Sequence, residues 1–220
     1  MQTTLPHPTE ALILAFAPLS PVPGRADLLA HQAADFFRLW QTWEDECGEK
    51  QDIPFWAHVW PAAQMMAEHI GKHPGMVAGK RVLDFGCGCG VAGIAAAKAG
   101  AAHVTANDID PIALDFTARN ARANGCCVAV EANDLLGTLP DPAWDVILVA
   151  DLFYEKSVSE AMLDWLAKAR ANGSAVFIAD ANRPFSPRTG IRILLEKTYA
   201  TDADLEGSSE RTVRLLAYLP

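Results

Sequence analysis

From Arg81 onward, short apolar runs alternate with longer stretches in which apolar residues recur every three or four positions. A run too short for a helix and rich in Val, Ile and Leu reads as a buried strand, whereas the three-to-four spacing reads as a helix with one face on a core. Strands are therefore expected at Arg81–Phe85, His103–Asp108, Cys127–Glu131, Trp144–Ala150, Ser174–Ala179 and Arg211–Leu219. Helices are expected at Ala92–Ala99, Pro111–Ala123, Ser157–Ala171 and Thr189–Glu196, the second with proline in its first turn, where a missing N–H costs nothing. Upstream, Leu28, Leu29, Phe36, Leu39, Trp40 and Trp43 predict one amphipathic helix across Arg25–Glu46, and a further helix follows Pro61 through Ala67 to Ile70. Met1–Gly24 carries many prolines and reads as an arm with one short strand. Strands alternating with helices imply a parallel sheet covered on both faces, and two final strands without a full helix between them imply a hairpin and one antiparallel edge.

At 220 residues, half of them hydrophobic and a fifth charged, the composition fits one soluble globular domain. No apolar run reaches the roughly 18 residues of a membrane-spanning helix. The stretch Ala11–Leu19 follows Glu10 and lacks a basic flank, which argues against a secretory signal. Five cysteines, an odd set with two local pairs, suit a reducing, cytoplasmic setting. The formal charge of −9 and the absence of a dense Lys/Arg stripe disfavour nucleic acid as the main partner. An acidic surface suits a basic, lysine-bearing partner instead.

The strongest chemical signal is Val82-Leu83-Asp84-Phe85-Gly86-Cys87-Gly88-Cys89-Gly90, a buried strand ending in a loop with glycine at every second position before a helix. Glycine permits the tight turn and lets a ligand approach the backbone. Asp84 before the glycines suits a cationic amino group and would repel a pyrophosphate. Asp108 closes the next strand at the roughly 20-residue spacing from which an acid reaches ribose hydroxyls. The competing reading is that the glycines only turn a tight loop. The combination resembles the class I S-adenosylmethionine-dependent methyltransferases, whose sheet is Rossmann-like and seven-stranded. The resemblance implies that Gly86, Gly88 and Gly90 line the methionine part of S-adenosylmethionine and that Asp108 holds its ribose. It also places Asn133, with Asp134 as second choice, at the adenine; Asp134 as the cap of a turn before Gly137 is the alternative.

Three more segments narrow the family: Phe55-Trp56-Ala57-His58-Val59-Trp60-Pro61-Ala62-Ala63, Ala106-Asn107-Asp108-Ile109-Asp110-Pro111 and Asp151-Leu152-Phe153-Tyr154-Glu155. They are similar to the electron-transfer flavoprotein β-subunit lysine methyltransferases, a family within a wider group of protein-lysine methyltransferases. Asp180-Ala181-Asn182-Arg183-Pro184 resembles an Asp-Pro-Gly-Arg-Pro-like run of that family, with Ala-Asn replacing Pro-Gly. The likeness runs from Phe55 to the C-terminus, dividing the chain into an N-terminal arm and helix over residues 1–54 and a methyltransferase domain over residues 55–220. It implies Trp60 beside the cofactor, against a core tryptophan; Trp56 reads as packing or substrate rim. It implies Asp151 as the residue that positions the acceptor lysine, against a cap of the next helix, and Tyr154 as channel wall or hydrogen-bond partner. The implied substrate is the electron-transfer flavoprotein β subunit, with a ribosomal protein or, further off, a small molecule as alternatives. Cys87, Cys89, Cys126 and Cys127 lack the partners that would complete a zinc site, so no metal is expected.

Overall fold

Alternate residues of the two central strands serve opposite faces. In β3 (Arg81–Phe85) and β6 (Val146–Ala150), Val82, Val146 and Leu148 join one buried cluster, while Leu83, Phe85, Ile147 and Val149 join another. Strands buried on both sides read as unbroken apolar runs, which is why both were legible. The computed structural model describes residues 7–219. Around this pair, β4 (His103–Asn107), β5 (Ala129–Glu131), β7 (Ala175–Asp180), β8 (Ile191–Ala200) and β9 (Glu210–Tyr218) complete a seven-stranded sheet in the order β5-β4-β3-β6-β7-β9-β8. Strands β3 to β7 pair in parallel, and β9 runs antiparallel to both β7 and β8. The chain leaves β3 toward β4 and β5 on one side and returns through β6 and β7 on the other. The crevice where that direction reverses lies at the carboxyl ends of β3 and β6.

Helices α3 (Pro61–Lys72) and α4 (Val91–Lys98) cover one face through Met65, Met66, Ile70 and Ile94, and α6 (Lys156–Ala171) covers the other through Met162, Trp165 and Leu166. Helix α5 (Pro111–Ala123), capped by Asp110, carries Phe116 against an N-terminal unit. That unit comprises α1 (Glu10–Phe16), a hairpin of β1 (Leu19–Val22) and β2 (Arg25–His31), and α2 (Phe36–Cys47). Trp56 stacks on Phe116 at 3.8 Å and meets Trp43 edge-on, so residues on both sides of position 54 share one core.

Two expected helices differ. Arg25–His31 is a strand, with Leu28 and Ala30 facing the core, and the helix starts only at Phe36 behind its cap Asp35. No glycine or proline marks the break at 32–35, so the apolar positions of strand and helix merged into one false period. Asn120 of α5 and Asn124 at its C-terminal cap stand in for a neighbouring strand along β2: Asn124 accepts from the Leu29 N–H at 2.9 Å and donates to its carbonyl at 2.7 Å, and Asn120 accepts from the His31 N–H at 2.9 Å. The second difference is Thr189–Glu196, where Ile191–Ala200 forms the edge strand β8 instead of a helix. A register shift between Ile193 and Leu195 breaks its alternation and produces helix-like spacing. Among the described residues no helix is long and apolar enough to cross a membrane.

Trp56→Ala should remove the ring that joins the N-terminal unit to α5. A loss of about 3–5 kcal/mol in unfolding free energy is expected from chemical denaturation, and a loss below about 1 kcal/mol would mean that the two parts are energetically separate.

Candidate functional site

The glycine loop after β3 adopts left-handed backbone at Gly86, Gly88 and Gly90, with φ of 65°, 53° and 75°. These three positions are not equivalent. A Cβ on Gly86 would sit 2.4 Å from Leu152, and one on Gly90 would sit 2.6 Å from Thr117, so these two are glycine because protein presses on them. A Cβ on Gly88 would enter open space. Gly88 is therefore the position whose missing side chain leaves room for something other than protein. Thr117 steadies the loop by donating to the Gly88 carbonyl at 3.1 Å.

Asp108, just past β4, accepts from the Gly88 N–H at 2.9 Å through one oxygen and from the Asp110 N–H at 3.0 Å through the other. Each carboxylate oxygen retains a lone pair for a hydroxyl donor. Burial pushes its pKa up. Asn107 is buried and donates to the carbonyls of Glu131 and Asn133 at 2.8 and 2.9 Å, which ties the loop after β5 to β4. No role was read for this residue in the sequence, where an asparagine at a strand end looks like a turn former. Asn133 and Asp134 lie exposed on that loop, and Asp134 accepts from the Leu136 N–H at 2.9 Å as the cap of the short turn Leu135–Gly137.

Asp84 departs from the expectation of a carboxylate turned toward a bound amino group. It is buried and accepts from the Gly93 N–H of α4 at 2.7 Å. Burial raises its pKa to about 7, against the opposing pull of that hydrogen bond. Its first duty is to fasten the helix to the strand behind the glycine loop.

Trp60 is half-buried at the N-terminal cap position of α3, donating from Nε1 to the Phe55 carbonyl at 3.0 Å; it is a rim residue, and Trp56 is the core tryptophan. Trp60 tilts against Phe55 at 5.7 Å, and Phe55 stacks on Tyr154 at 6.2 Å. Phe55, absent from the sequence-based site, thus completes an aromatic wall. Burial, followed by the charges of Asp108 and Asp151, pushes the Tyr154 pKa up.

Asp151 does not cap α6; the cap position is Glu155. Both oxygens of Asp151 bind Arg183, from Nε at 2.7 Å and Nη2 at 2.6 Å, and Arg183 also reaches Glu206 at 3.2 Å. The Asp151 carboxylate, expected to stand free for an incoming ammonium, is already half of an ion pair. Asp151 and Asn182 are the two non-glycine residues with left-handed backbone among the described residues, at φ 61° and 60°. Asparagine tolerates that conformation better than most residues, which suits Asn182 to the place where the resembling run has glycine.

The ribosomal protein L11 methyltransferase (PrmA) family model matches residues 64–177, just over half of the chain. The chain belongs to this family. Electron transfer flavoprotein beta subunit lysine methyltransferases are similar: the Danio rerio protein is 39% identical over 132 residues, covering 59% of this chain and 51% of that one. The Homo sapiens protein is 35% identical over 132 residues, covering 60% and 50%. The chain spans about half the length of these relatives. A ribosomal protein L11 methyltransferase of Aeromonas salmonicida is 53% identical over 55 residues, a quarter of this chain. Among solved structures, magnesium protoporphyrin IX methyltransferase of Synechocystis, with bound S-adenosylmethionine, superposes with TM-score 0.52 at 19% identity over 70% of this chain and 79% of that one. The tRNA (uracil-54, C5)-methyltransferase of Pyrococcus abyssi, in complex with S-adenosylhomocysteine, gives 0.51 at 19% over 71% and 38%. These show the class I methyltransferase fold.

The raised pKa of Asp84 sets a sign for pH dependence. Unfolded, the group ionises near pH ~4; folded, near 7. Its contribution to stability is complete below the unfolded value and is lost as pH rises through the folded one. Between pH 5 and 7, unfolding free energy should fall with a slope of up to about 1.4 kcal/mol per pH unit from this group, and Asp84→Asn should flatten it. An unchanged slope in the folded variant would remove Asp84 as the source.

Proposed function

We propose that this chain is an S-adenosylmethionine-dependent protein-lysine N-methyltransferase whose substrate is the electron-transfer flavoprotein β subunit. The observation that carries the reading is one aromatic wall, Phe55 between Trp60 and Tyr154, built beside the loop that follows Asp151. The names of the Danio rerio and Homo sapiens relatives supply the substrate.

The residues fit the cofactor. Gly88 offers backbone with open space beside it, Asp108 offers lone pairs for two ribose hydroxyls, and Asn133 and Asp134 are exposed on the loop after β5, free to meet an adenine edge. Asp84, fixed to Gly93, acts on the methionine part at one remove by holding the loop. When bound, S-adenosylmethionine supplies a methyl carbon on a positive sulfur, and the acceptor lone pair forms the new bond as the C–S bond breaks and its electron pair stays on sulfur.

The nucleophile must be a neutral amine. A free lysine has pKa near ~10.4, so deprotonation at pH 7 costs roughly 4–5 kcal/mol. The proton leaves to solvent before the bond forms. Tyr154, Phe55 and Trp60 hold the aliphatic stem, and Asp151 directs the nitrogen. Proximity and alignment supply most of the rate.

Calorimetry on Asp108→Ala should show S-adenosylmethionine binding weakened by about 1.5–3 kcal/mol, the worth of a charge-assisted hydrogen bond, and Gly88→Val should bind less well still. Unchanged affinity in either folded variant would take that residue out of the site.

Peptide mapping after reaction with labelled S-adenosylmethionine and a proteome extract should find methyl groups on lysine nitrogen. Recombinant electron-transfer flavoprotein β subunit should be labelled, and strong labelling of a ribosomal protein in its place would transfer the substrate to the family model's namesake. Asp151→Asn should keep cofactor affinity while turnover drops about 100-fold or more; near-normal turnover would relieve Asp151 of the acceptor role.

A further inference from the structure

We propose that Arg183 is a positioning residue that cancels the charge of Asp151, so that the acceptor amine is aligned by a carboxylate without being held as an ammonium. The inference rests on the lysine reading above. It answers a difficulty in that reading: a bare carboxylate beside a lysine favours the protonated form by about 1–3 pKa units, the opposite of what methyl transfer requires.

The geometry is specific. The guanidinium fork takes one lone pair from each Asp151 oxygen, at 2.7 and 2.6 Å, leaving the others for an N–H of the incoming amine. Lysine at position 183 could not reproduce this fork. Asp151 and Arg183 are both largely buried side chains, so the pair is poorly screened. Arg183 is held from three directions. Its own N–H is fixed by Asp180 at 3.0 Å, its Nη2 reaches Glu206 at 3.2 Å, and Asn182 before it is bonded by Arg214 at 3.0 Å. Glu206 pairs in turn with Arg211 at 3.2 Å. Asp151, Arg183, Glu206 and Arg211 thus sum to no net charge.

The other titratable groups about the pair are Asp180 at the end of β7, whose pKa burial and the charge of Asp151 push up, and Tyr154, whose pKa burial and then the charges of Asp108, Asp151 and Glu155 push up. Asp180 is buried and bonded to Ser186 and to the Arg183 backbone. Arg211 and Arg214, the other cations here, are bonded to Glu206 and Asn182, so removal of Arg183 leaves Asp151 without the cation bonded to it.

The test follows methylation of recombinant electron-transfer flavoprotein β subunit against pH for the wild type, Arg183→Gln and Asp151→Asn. In Arg183→Gln the midpoint of the kcat profile should move up by about one pH unit or more, with kcat at pH 7.5 down about tenfold and KM lowered, because the bare carboxylate now binds ammonium. In Asp151→Asn the midpoint should move down, since the cation of Arg183 is left unbalanced. A second readout needs no turnover. Calorimetry of the β subunit binding to the S-adenosylhomocysteine-loaded protein, in buffers of different ionisation enthalpy, counts protons released. The wild type should release a proton fraction that Arg183→Gln does not.

A purely structural Arg183 would lower stability and kcat while leaving midpoint and proton count in place, and that result overturns the proposal. If Arg183→Gln does not fold, Asp151→Asn decides: an unmoved or raised midpoint overturns it. Wild-type protein that methylates no lysine in the extract removes the functional reading, and this inference with it. A wild type that is active, with variants that keep its profile, removes the inference alone.

Discussion

One guanidinium joins three segments that arrive at the site from separate parts of the chain. Asp151 follows β6, Arg183 follows β7, and Glu206 sits on the short helix α7 (Ala203–Glu206) between β8 and β9. Each carboxylate would be costly to bury alone, and breaking such a pair costs far more than making it returns. The three segments are therefore fixed relative to one another by a requirement of charge balance. Left-handed backbone flanks the pair on both segments, at Asp151 itself and at Asn182 just before Arg183. The antiparallel end of the sheet is tied into the same arrangement through Arg211 and Glu206.

The strands β3, β4 and β6 and the helices α5 and α6 were legible because burial on both sheet faces leaves continuous apolar runs, and because Asp110 and Pro111 mark a helix start. The N-terminal hairpin was not. Its outer edge is satisfied by Asn120 and Asn124, nearly a hundred residues downstream, and no local pattern announces a strand whose neighbour is a pair of amide side chains. Strand β8 was missed for a related reason. Its apolar residues Ile193, Leu194 and Leu195 lie at least partly exposed on an edge, so no buried face imposed a period of two.

At the site, residue identity was easier to read than residue duty. Glycines at positions 86, 88 and 90 look alike in sequence, yet two are set by contact with Leu152 and Thr117 and one by open space. Asp84 and Asp108 both follow the acid-and-glycine pattern, but one turns inward to Gly93 and the other outward to the Gly88 N–H. Side-chain direction depends on what surrounds the strand end, and a linear spacing carries none of that. Asp151 and Arg183, thirty-two positions apart, were each visible within a motif, while their partnership depends on β6 and β7 being parallel neighbours.

The asparagine pair on α5 has a consequence for where this protein can be cut. A boundary at residue 54, natural from the motifs, would strip the hairpin away and leave Asn120 and Asn124 without the main-chain groups they serve. It would also lay bare the side of Phe116 that His31 covers. Since α5 begins three residues after Asp108, loosening that helix would reach the Asp108 end of the crevice. The N-terminal unit acts as a splint on α5 and the Asp108 turn before it, and shortened versions that begin at the motifs would lose the stiffness of the very turn they were meant to preserve.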